Sequence, residues 1–485
     1  MVPVLLILIP LITGLALFAI PKEATAKALA LFASLLSLAV MLAALSIWKD
    51  ADHLVYNQPW LGALNSRFHF ELDGMSQLLC LLTTFSFPLI IYSTWDNSYK
   101  DGNRFMGLLM LSQAGLLGVF MAYDALLFYF FWELALIPLY FLCSRWGGEK
   151  RIAVTFKFFI FTFLGSLLML IGIIMLYNKA GGSFAWTDFI RLKFSFKEEA
   201  IMFSLLFVAF AVKMPLFPLH TWQPDTYEQA PTPVTMVLSA IMAKMGVFGL
   251  LRWLLPVMPT ISFQWGDNFA TLGVISMLYA SFIAMKQDDL KRLVAYSSIA
   301  HIGLMVVAIF APSTGGIQGV MIQMFNHGVN ILGMWIVVNA IEQKLGTRKI
   351  SELGGLAQKA PALTILLVIV ALANIAMPLT NAFIGEFMMF NGVLGSTATK
   401  FGVAYAAAGG LTIILSAVYT LRMIQRVFYG DTNAVTQQAS DVKLNVQVAL
   451  AIIVVAILAV GIYPKPLLAL TSDVTNQIMT RIFIK

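Results

Sequence analysis

Charge is what this sequence lacks. Of its 485 residues only 11% are Asp, Glu, Lys or Arg, while 60% are hydrophobic and the mean hydropathy is +0.85. A soluble protein carries about 25% charged residues, so a solvated surface for a chain this long could not be assembled from so few. Cysteine is scarce too: Cys80 and Cys143 both fall in apolar runs, with neither a CxxC nor a metal-ligand spacing. A disulfide scaffold is therefore excluded, and any iron–sulfur cluster or structural zinc is expected on a partner chain. The sequence shows no Gly-rich phosphate loop followed by Lys and Ser or Thr, no nucleophile elbow and no nucleotide-binding unit. Disorder, collagen and coiled coil are ruled out by the same composition.

What the sequence has in quantity is long apolar runs. A helix crossing the bilayer needs roughly 20 apolar residues, and only closed hydrogen bonding survives in lipid. Fourteen runs qualify, at 2–20, 27–47, 75–95, 105–122, 125–145, 152–177, 200–220, 231–255, 269–285, 291–310, 315–340, 361–390, 402–428 and 446–463. They predict an all-α polytopic membrane protein of about 14 transmembrane helices in a single integral membrane domain. Within it, 1–104 holds helices 1–3, 105–255 and 269–428 hold the two middle groups, and 446–485 holds the last span and a tail. No long lateral helix is expected after the last span. Three polar links, 48–74, 178–199 and 429–445, connect the runs.

The net charge of +7 reads as a topology signal, since the 31 basic residues lie mostly in the links. An even number of spans puts both termini on one side. Alternate links place 18 Lys and Arg on the opposite side and 11 on the terminal side, with two more inside spans. The excess marks the 18-charge side as cytoplasmic and both termini as outside. The N-terminal run lacks a basic leader and a small-residue cleavage site and reads as a retained first span.

Two spans are interrupted. The seventh contains Pro215 and Pro218, each of which removes a backbone donor, and the twelfth is broken around Pro378. Single prolines are common kinks in membrane helices. These breaks, however, sit five spans apart, as two copies of one unit formed by spans 4–8 and 9–13 require. Paired broken helices are the sequence mark of an inverted-repeat transporter whose freed backbone groups line a wet cavity.

Sorting ionisable residues by depth isolates a small set. Glu133 and Glu386 are the carboxylates well inside apolar runs, and Lys213 and Lys244 are the bases. His301 and His327 lie inside, His220 ends a broken helix, and His53 and His69 belong to the first polar link. A charge at the bilayer centre costs about 2.5–3.5 kcal/mol on insertion scales, so these groups are expected to face protein, water or one another. Glu133 could simply lock two helices in an ion pair; as a functional group it accepts a proton beside a cation, with Lys213 the natural partner. A desolvated lysine gives up its proton more readily than one in water. Snorkelling is the alternative for Lys244, but its mid-span position disfavours it. Single buried histidines are usually satisfied core residues. Two on adjacent spans, flanked by Ser297, Ser298, Asn326 and Asn330, point to a hydrated relay. The series carboxylate, lysine, lysine, histidine, histidine, carboxylate suits proton transfer. Metal binding is a poor fit, because no two candidate ligands have helical i, i+3 or i, i+4 spacing.

The stretches that hold these residues resemble one family closely. FFWELALIPLYFL around Glu133, KMPLFPLHTWQPDTYEQAPTPV from Lys213 and SAIMAKMGVFGLLRW around Lys244 are joined by DDLKRLVAYSSIAHIG at His301, FNHGVNILGMW at His327 and AFIGEF at Glu386. They resemble the antiporter-like membrane subunits of the proton-pumping NADH:quinone oxidoreductase, respiratory complex I, and most of all its M-type chains. The resemblance spans runs 3 to 13. It implies two inverted five-helix repeats, a half-channel toward each side and a central polar axis. It assigns Glu133 and Lys213 to an ion pair, Lys244 to the central lysine, His301 and His327 to the connecting histidines and Glu386 to a terminal carboxylate. The sister L and N chains carry a lysine at that last position. One departure is plain: Met377-Pro378-Leu379-Thr380-Asn381-Ala382 stands where the family has a Gly-Leu-Pro turn followed by Ser-Gly.

The resemblance implies a proton-translocating subunit of a bacterial plasma membrane, driven by redox chemistry in other subunits. FMN, iron–sulfur clusters and quinone are expected in those partners, with L- and N-type chains as membrane neighbours and no nucleic acid. The rival readings are a subunit of a multi-subunit cation/proton antiporter, a subunit of a membrane-bound hydrogenase-type complex, and a scaffold with structural ion pairs.

Overall fold

The computed structural model describes residues 1–483; residues 484 and 485, the end of the expected tail, lie outside the described residues. An apolar chain with so few charges has helices as its one economical way to satisfy the backbone. In chain order these are α1 (Val2–Leu17), α2 (Glu23–Ser46), α3 (Gly74–Ser93), α4 (Gly102–Met121), α5 (Ala125–Trp146), α6 (Arg151–Lys179), α7 (Phe196–Lys213), α8 (Trp222–Gln229) and α9 (Thr232–Leu254). There follow α10 (Gly266–Ala284), α11 (Leu290–Phe310), α12 (Thr314–Leu345), α13 (Pro361–Asn374), α14 (Asn381–Leu394), α15 (Gly402–Phe428), α16 (Leu444–Ile462) and α17 (Lys465–Phe483).

Eleven of them, among the described residues, are long and apolar enough to cross a membrane. The other three expected spans fall on α1, on α7 and on the α13–α14 pair, each for a physical reason. Helix α1 has 16 residues, α7 carries Lys197, Glu198, Glu199 and Lys213, and span 12 is cut into two halves of 14 residues.

Side chains fix several helix starts by capping exposed N–H groups. Asp73 accepts from the Ser76 amide, Asp124 from those of Leu126 and Leu127, and Asp289 from that of Arg292. Ser195 and Glu198 form a reciprocal capping box at the start of α7.

Helices α9, α11 and α12 are almost wholly enclosed by the others, whereas α2, α15 and α16 keep only 33% of their apolar window buried. The outer helices turn side chains such as Phe32, Phe156, Ile365 and Val403 outward. That surface suits lipid, and it leaves the three central helices as the place where a polar group must find a protein partner.

Two polar segments carry more structure than expected. The link at 48–74 folds into an antiparallel hairpin of β1 (Val55–Leu61) and β2 (Ser66–Glu71), turning at Asn65 with φ 50°. The tail is a helix: α17 packs on α3 and α12, and Gln318 Nε2 donates to the Leu468 carbonyl at 2.8 Å.

Both breaks sit where the prolines put them. Helix α7 stops at Lys213, residues 214–221 run through turns, and the Trp222 indole donates to the freed Val212 carbonyl at 3.0 Å. Between α13 and α14 the backbone enters the left-handed region at Ala376 (φ 55°) and Leu379 (φ 72°). There Asn326 Nδ2 donates to the Asn381 carbonyl at 2.7 Å and Asn381 Nδ2 donates back to the Asn326 carbonyl at 3.4 Å, tying α12 to the start of α14. Gly461 of α16 lies against this break, where a Cβ would come within 2.2 Å of the Leu379 carbonyl oxygen.

Candidate functional site

The central helices bring four of the six expected residues into one string. Lys244, on α9, is fully buried; its Nζ donates to the Ser239 carbonyl at 2.8 Å and lies 2.9 Å from His327 Nδ1. Two π-helical turns, Leu238–Met242 and Leu250–Leu254, bracket it. Such turns concentrate at functional positions because they disturb the regular hydrogen-bond ladder. His327 Nδ1 accepts when Lys244 is an ammonium and donates when Lys244 is neutral, so the contact joins two groups that can each carry the proton.

The His327 and His301 rings lie 5.4 Å apart between centroids at 48° to one another. His301 Nδ1 is 3.0 Å from Glu386 Oε1, which also accepts from Gln323 Nε2 at 3.2 Å. Glu386 and His327 are both buried. The string therefore runs Lys244, His327, His301, Glu386 and crosses from α9 through α12 and α11 to α14. The two histidines stand in the reverse of their sequence order. Neither Nε2 atom has a hydrogen-bond partner among the described residues.

The other two expected residues are arranged differently. Lys213 is buried and its ammonium lies over the Trp132 ring, 5.2 Å from the centroid. Glu133 is the next residue along α5 and half-buried, with its enclosed Oε1 lacking a hydrogen-bond partner among the described residues. No contact within 4.0 Å joins Lys213 to Glu133 among the described residues, so the expected ion pair is not closed. The indole face draws the ammonium instead, as ring quadrupoles do.

Of the flanking polar residues, Ser297 accepts from Asn374 Nδ2 at 3.2 Å and from Tyr419 Oη at 3.0 Å. Ser298 Oγ and the Asn330 amide have no partner among the described residues. His220, buried at the first break, stacks beside Phe217 and meets Tyr279 edge-on. Gln323, Trp132 and Tyr419 escaped the sequence reading. Gln323 alone carried a signal, lying one helical turn before His327.

A further buried charge lies near the end of the eighth run, where the sequence reads as the approach to a link. Arg252, 2% exposed in the last turns of α9, pairs with Asp73, donates to Tyr123 Oη at 2.7 Å and lies against the Tyr123, Trp186 and Phe248 rings. Among the described residues, no three His, Cys, Asp or Glu side chains gather as they would around a metal.

Broken helices in both halves and a lysine–histidine–carboxylate string through the enclosed core define an antiporter-like membrane subunit. The model of the family described as NADH:quinone oxidoreductase/Mrp antiporter, TM, matches residues 122–412, which hold all six expected residues. The chain is 35% identical over 463 residues to NADH-quinone oxidoreductase subunit M of Rhodobacter capsulatus, covering 91% of this chain and 88% of that one. It is 34% identical over 495 residues to F(420)H(2) dehydrogenase subunit M of Methanosarcina mazei, covering 99% of each. A chain of respiratory complex I from Thermus thermophilus with bound NADH superposes with a TM-score of 0.90 at 28% identity, covering 99% of this chain and 100% of that one. The chain belongs to the NADH:quinone oxidoreductase/Mrp antiporter family, among its M subunits.

Proposed function

We propose that this chain is a proton-translocating membrane-arm subunit of an NADH:quinone oxidoreductase, and that Lys244, His327, His301 and Glu386 carry the proton. The observation behind this reading is the string itself: two short polar contacts and one ring pair link a lysine to a carboxylate across four helices. Lysine and imidazole exchange protons by small changes in their surroundings, and the enclosed core keeps those changes from being screened by water. Glu133 and Lys213 are the input. A cation arriving beside Glu133 from a neighbouring subunit engages that carboxylate, removes its attraction for the Lys213 ammonium and favours release of the Lys213 proton toward Lys244. Glu386 is the far end.

Redox chemistry belongs to other subunits in this reading, with FMN, iron–sulfur clusters and quinone held there and L- and N-type chains as neighbours. The chain is an enzyme subunit through that complex. It sits in a bacterial plasma membrane with both termini outside. The M. mazei relative's name carries F(420)H(2) in place of NADH, so the electron donor is the first thing to check by identifying co-purifying subunits.

Lys244→Met in the assembled complex is expected to abolish NADH-driven proton uptake into vesicles while NADH oxidation by an artificial acceptor persists. Lys244→Arg should fail as well, because guanidinium keeps the charge and does not release its proton. Pumping by either variant at the wild-type rate would reject Lys244 as a carrier. A cation/proton antiporter subunit is the second reading, supported by the double description of the family. It predicts sodium/proton exchange in vesicles that receive no electron donor.

A further inference from the structure

We infer that Trp132 is a positioning residue: its ring holds the Lys213 ammonium off Glu133 and so keeps that carboxylate open to an incoming cation. The inference rests on the proposed input and deepens it.

Two holders for one ammonium stand side by side on α5. Trp132 and Glu133 are consecutive, so their side chains leave the helix about 100° apart. Lys213 lies over the ring, 5.2 Å from its centroid, and its buried Nζ has no hydrogen-bond partner among the described residues. The enclosed Oε1 of Glu133 has none either. In equal surroundings a carboxylate would outcompete a neutral ring for the ammonium. Here the surroundings differ: Glu133 is half-buried, whereas Trp132 is 1% exposed. Partial exposure screens the carboxylate, and a dry ring face attracts a cation more strongly than a wet one.

The ring is braced in place. Its centroid lies 5.5 Å from that of Phe128, one turn back on α5, and 5.8 Å from that of Phe210, one turn before Lys213 on α7. Phe210 is wedged in turn, since a Cβ on Gly249 would come within 2.5 Å of its ring. The indole N–H has no hydrogen-bond partner among the described residues, so packing sets the orientation of the ring.

Both backbones are held as well. A Cβ on Gly115 of α4 would run into the backbone nitrogen of Ala135, two residues beyond Glu133. The end of α7 is fixed where the Trp222 indole donates to the Val212 carbonyl at 3.0 Å. What is left to move is the flexible four-carbon stem of the lysine. A side-chain rotation therefore decides whether the ammonium rests on the ring or closes on Glu133. On the ring, it leaves the carboxylate free to receive a cation from a neighbouring subunit. On Glu133, it forms an ion pair that the arriving cation has first to break.

Fluorination of the ring tests this on the intact complex. Fluorine withdraws electron density from the ring face and weakens its hold on a cation, with little change of shape. Mono-, di- and tetrafluorotryptophan placed at Trp132 by codon suppression form a graded series. NADH-driven pumping into vesicles should fall stepwise, by about tenfold at the last member, the order of one desolvated cation–π contact. Artificial-acceptor NADH oxidation should stay unchanged. A purely structural ring would not follow that grade. The second readout is modification of Glu133 by a hydrophobic carbodiimide, scored by mass spectrometry. An unpaired carboxyl reacts and one closed on an ammonium is protected, so labelling should fall across the same series. Unchanged pumping, or unchanged labelling, across the series would overturn the positioning role. Lys213→Met separates this role from the input itself. If it stops pumping while the fluorinated complexes match wild type, the positioning role fails and the input stands. If Lys213→Met pumps at the wild-type rate, both fail.

Discussion

At the scale of single residues, the buried charges divide into those held by opposite charge and those held by neutral partners. Arg252 and Asp73 are the first kind. A guanidinium buried against a carboxylate, a tyrosine hydroxyl and three rings is fixed, and it has no neutral form to pass through. Lys244 is the second kind, since its partners are a carbonyl and an imidazole and no carboxylate. Nothing nearby locks its proton in place. The distinction makes opposite predictions for the two bases. Removing Lys244 should affect pumping more than stability, and removing Arg252 should do the reverse. Arg252→Met strands the Asp73 carboxylate, and breaking such a pair costs about 3–5 kcal/mol, which thermal unfolding of the purified complex would read. Burial alone would raise the Asp73 pKa, but the Arg252 charge and hydrogen bonds from Arg252, the Ser76 amide and Tyr123 outweigh it and hold the carboxyl below its ordinary value. An acid with a lowered folded-state pKa stabilises fully above its unfolded value and loses that contribution as pH falls through the folded one. Wild-type stability should therefore hold across about pH 5–8 and fall only in stronger acid. The Arg252→Met profile should start lower and show a weaker acid-side fall.

At the scale of elements, function depends on where helices stop and how closely they pass. Gly246, half a turn beyond Lys244, touches the end of α7: a Cβ there would lie 2.5 Å from the Phe210 carbonyl oxygen and 2.8 Å from the Met214 nitrogen. That approach brings the element of Lys244 against the turn that carries Lys213. Gly246→Ala should push them apart at a cost of about 1–3 kcal/mol, as overpacking does, and reduce pumping at constant artificial-acceptor oxidation. Gly410→Ala is the matched control. It lies inside α15 with nothing within 4 Å of its Cβ position, and it should be neutral or stabilising by up to about 1 kcal/mol. Elements of this kind were only partly legible in the sequence. Hydropathy located the long helices, and Pro215, Pro218 and Pro378 located the breaks, because both signals are local. The hairpin at 55–71 and the helix at 465–483 were hidden, since their polar composition resembles a loop and tertiary packing decides their form. The depth of charges identified Glu133, Lys213, Lys244 and Glu386. It could not reveal that Trp132 would take the Lys213 ammonium, that the histidines would reverse their order, or that Arg252 would turn inward. Those depend on which helix faces meet, and a chain of apolar residues on all sides does not encode its facing.

At the scale of the whole molecule, the few charges form two populations on opposite faces. On one face Arg292 bridges Asp225 and Glu228 at 3.0 and 2.8 Å, Arg348 reaches Asp289 and Glu342 at 2.5 and 2.8 Å, and buried Lys291 meets Glu342 at 2.9 Å. This network ties the links after spans 7, 9 and 11 together beside a cavity of about 570 Å³. Basic residues that served as topology signals are thus also the clamp holding the two middle groups of helices at one surface. The opposite face carries the hairpin, the Arg252–Asp73 pair and the C-terminal helix. In the proposed orientation the side richer in Lys and Arg, which is the networked face, lies in the cytoplasm. Single cysteines report it directly. Glu149 is exposed on the networked face, and Gly62 lies in the hairpin turn with open space around its Cβ position. Glu149→Cys should react with an impermeant thiol reagent only in inside-out vesicles, and Gly62→Cys only in right-side-out ones. The reverse pattern would place the termini in the cytoplasm, while leaving the order of the buried string unchanged.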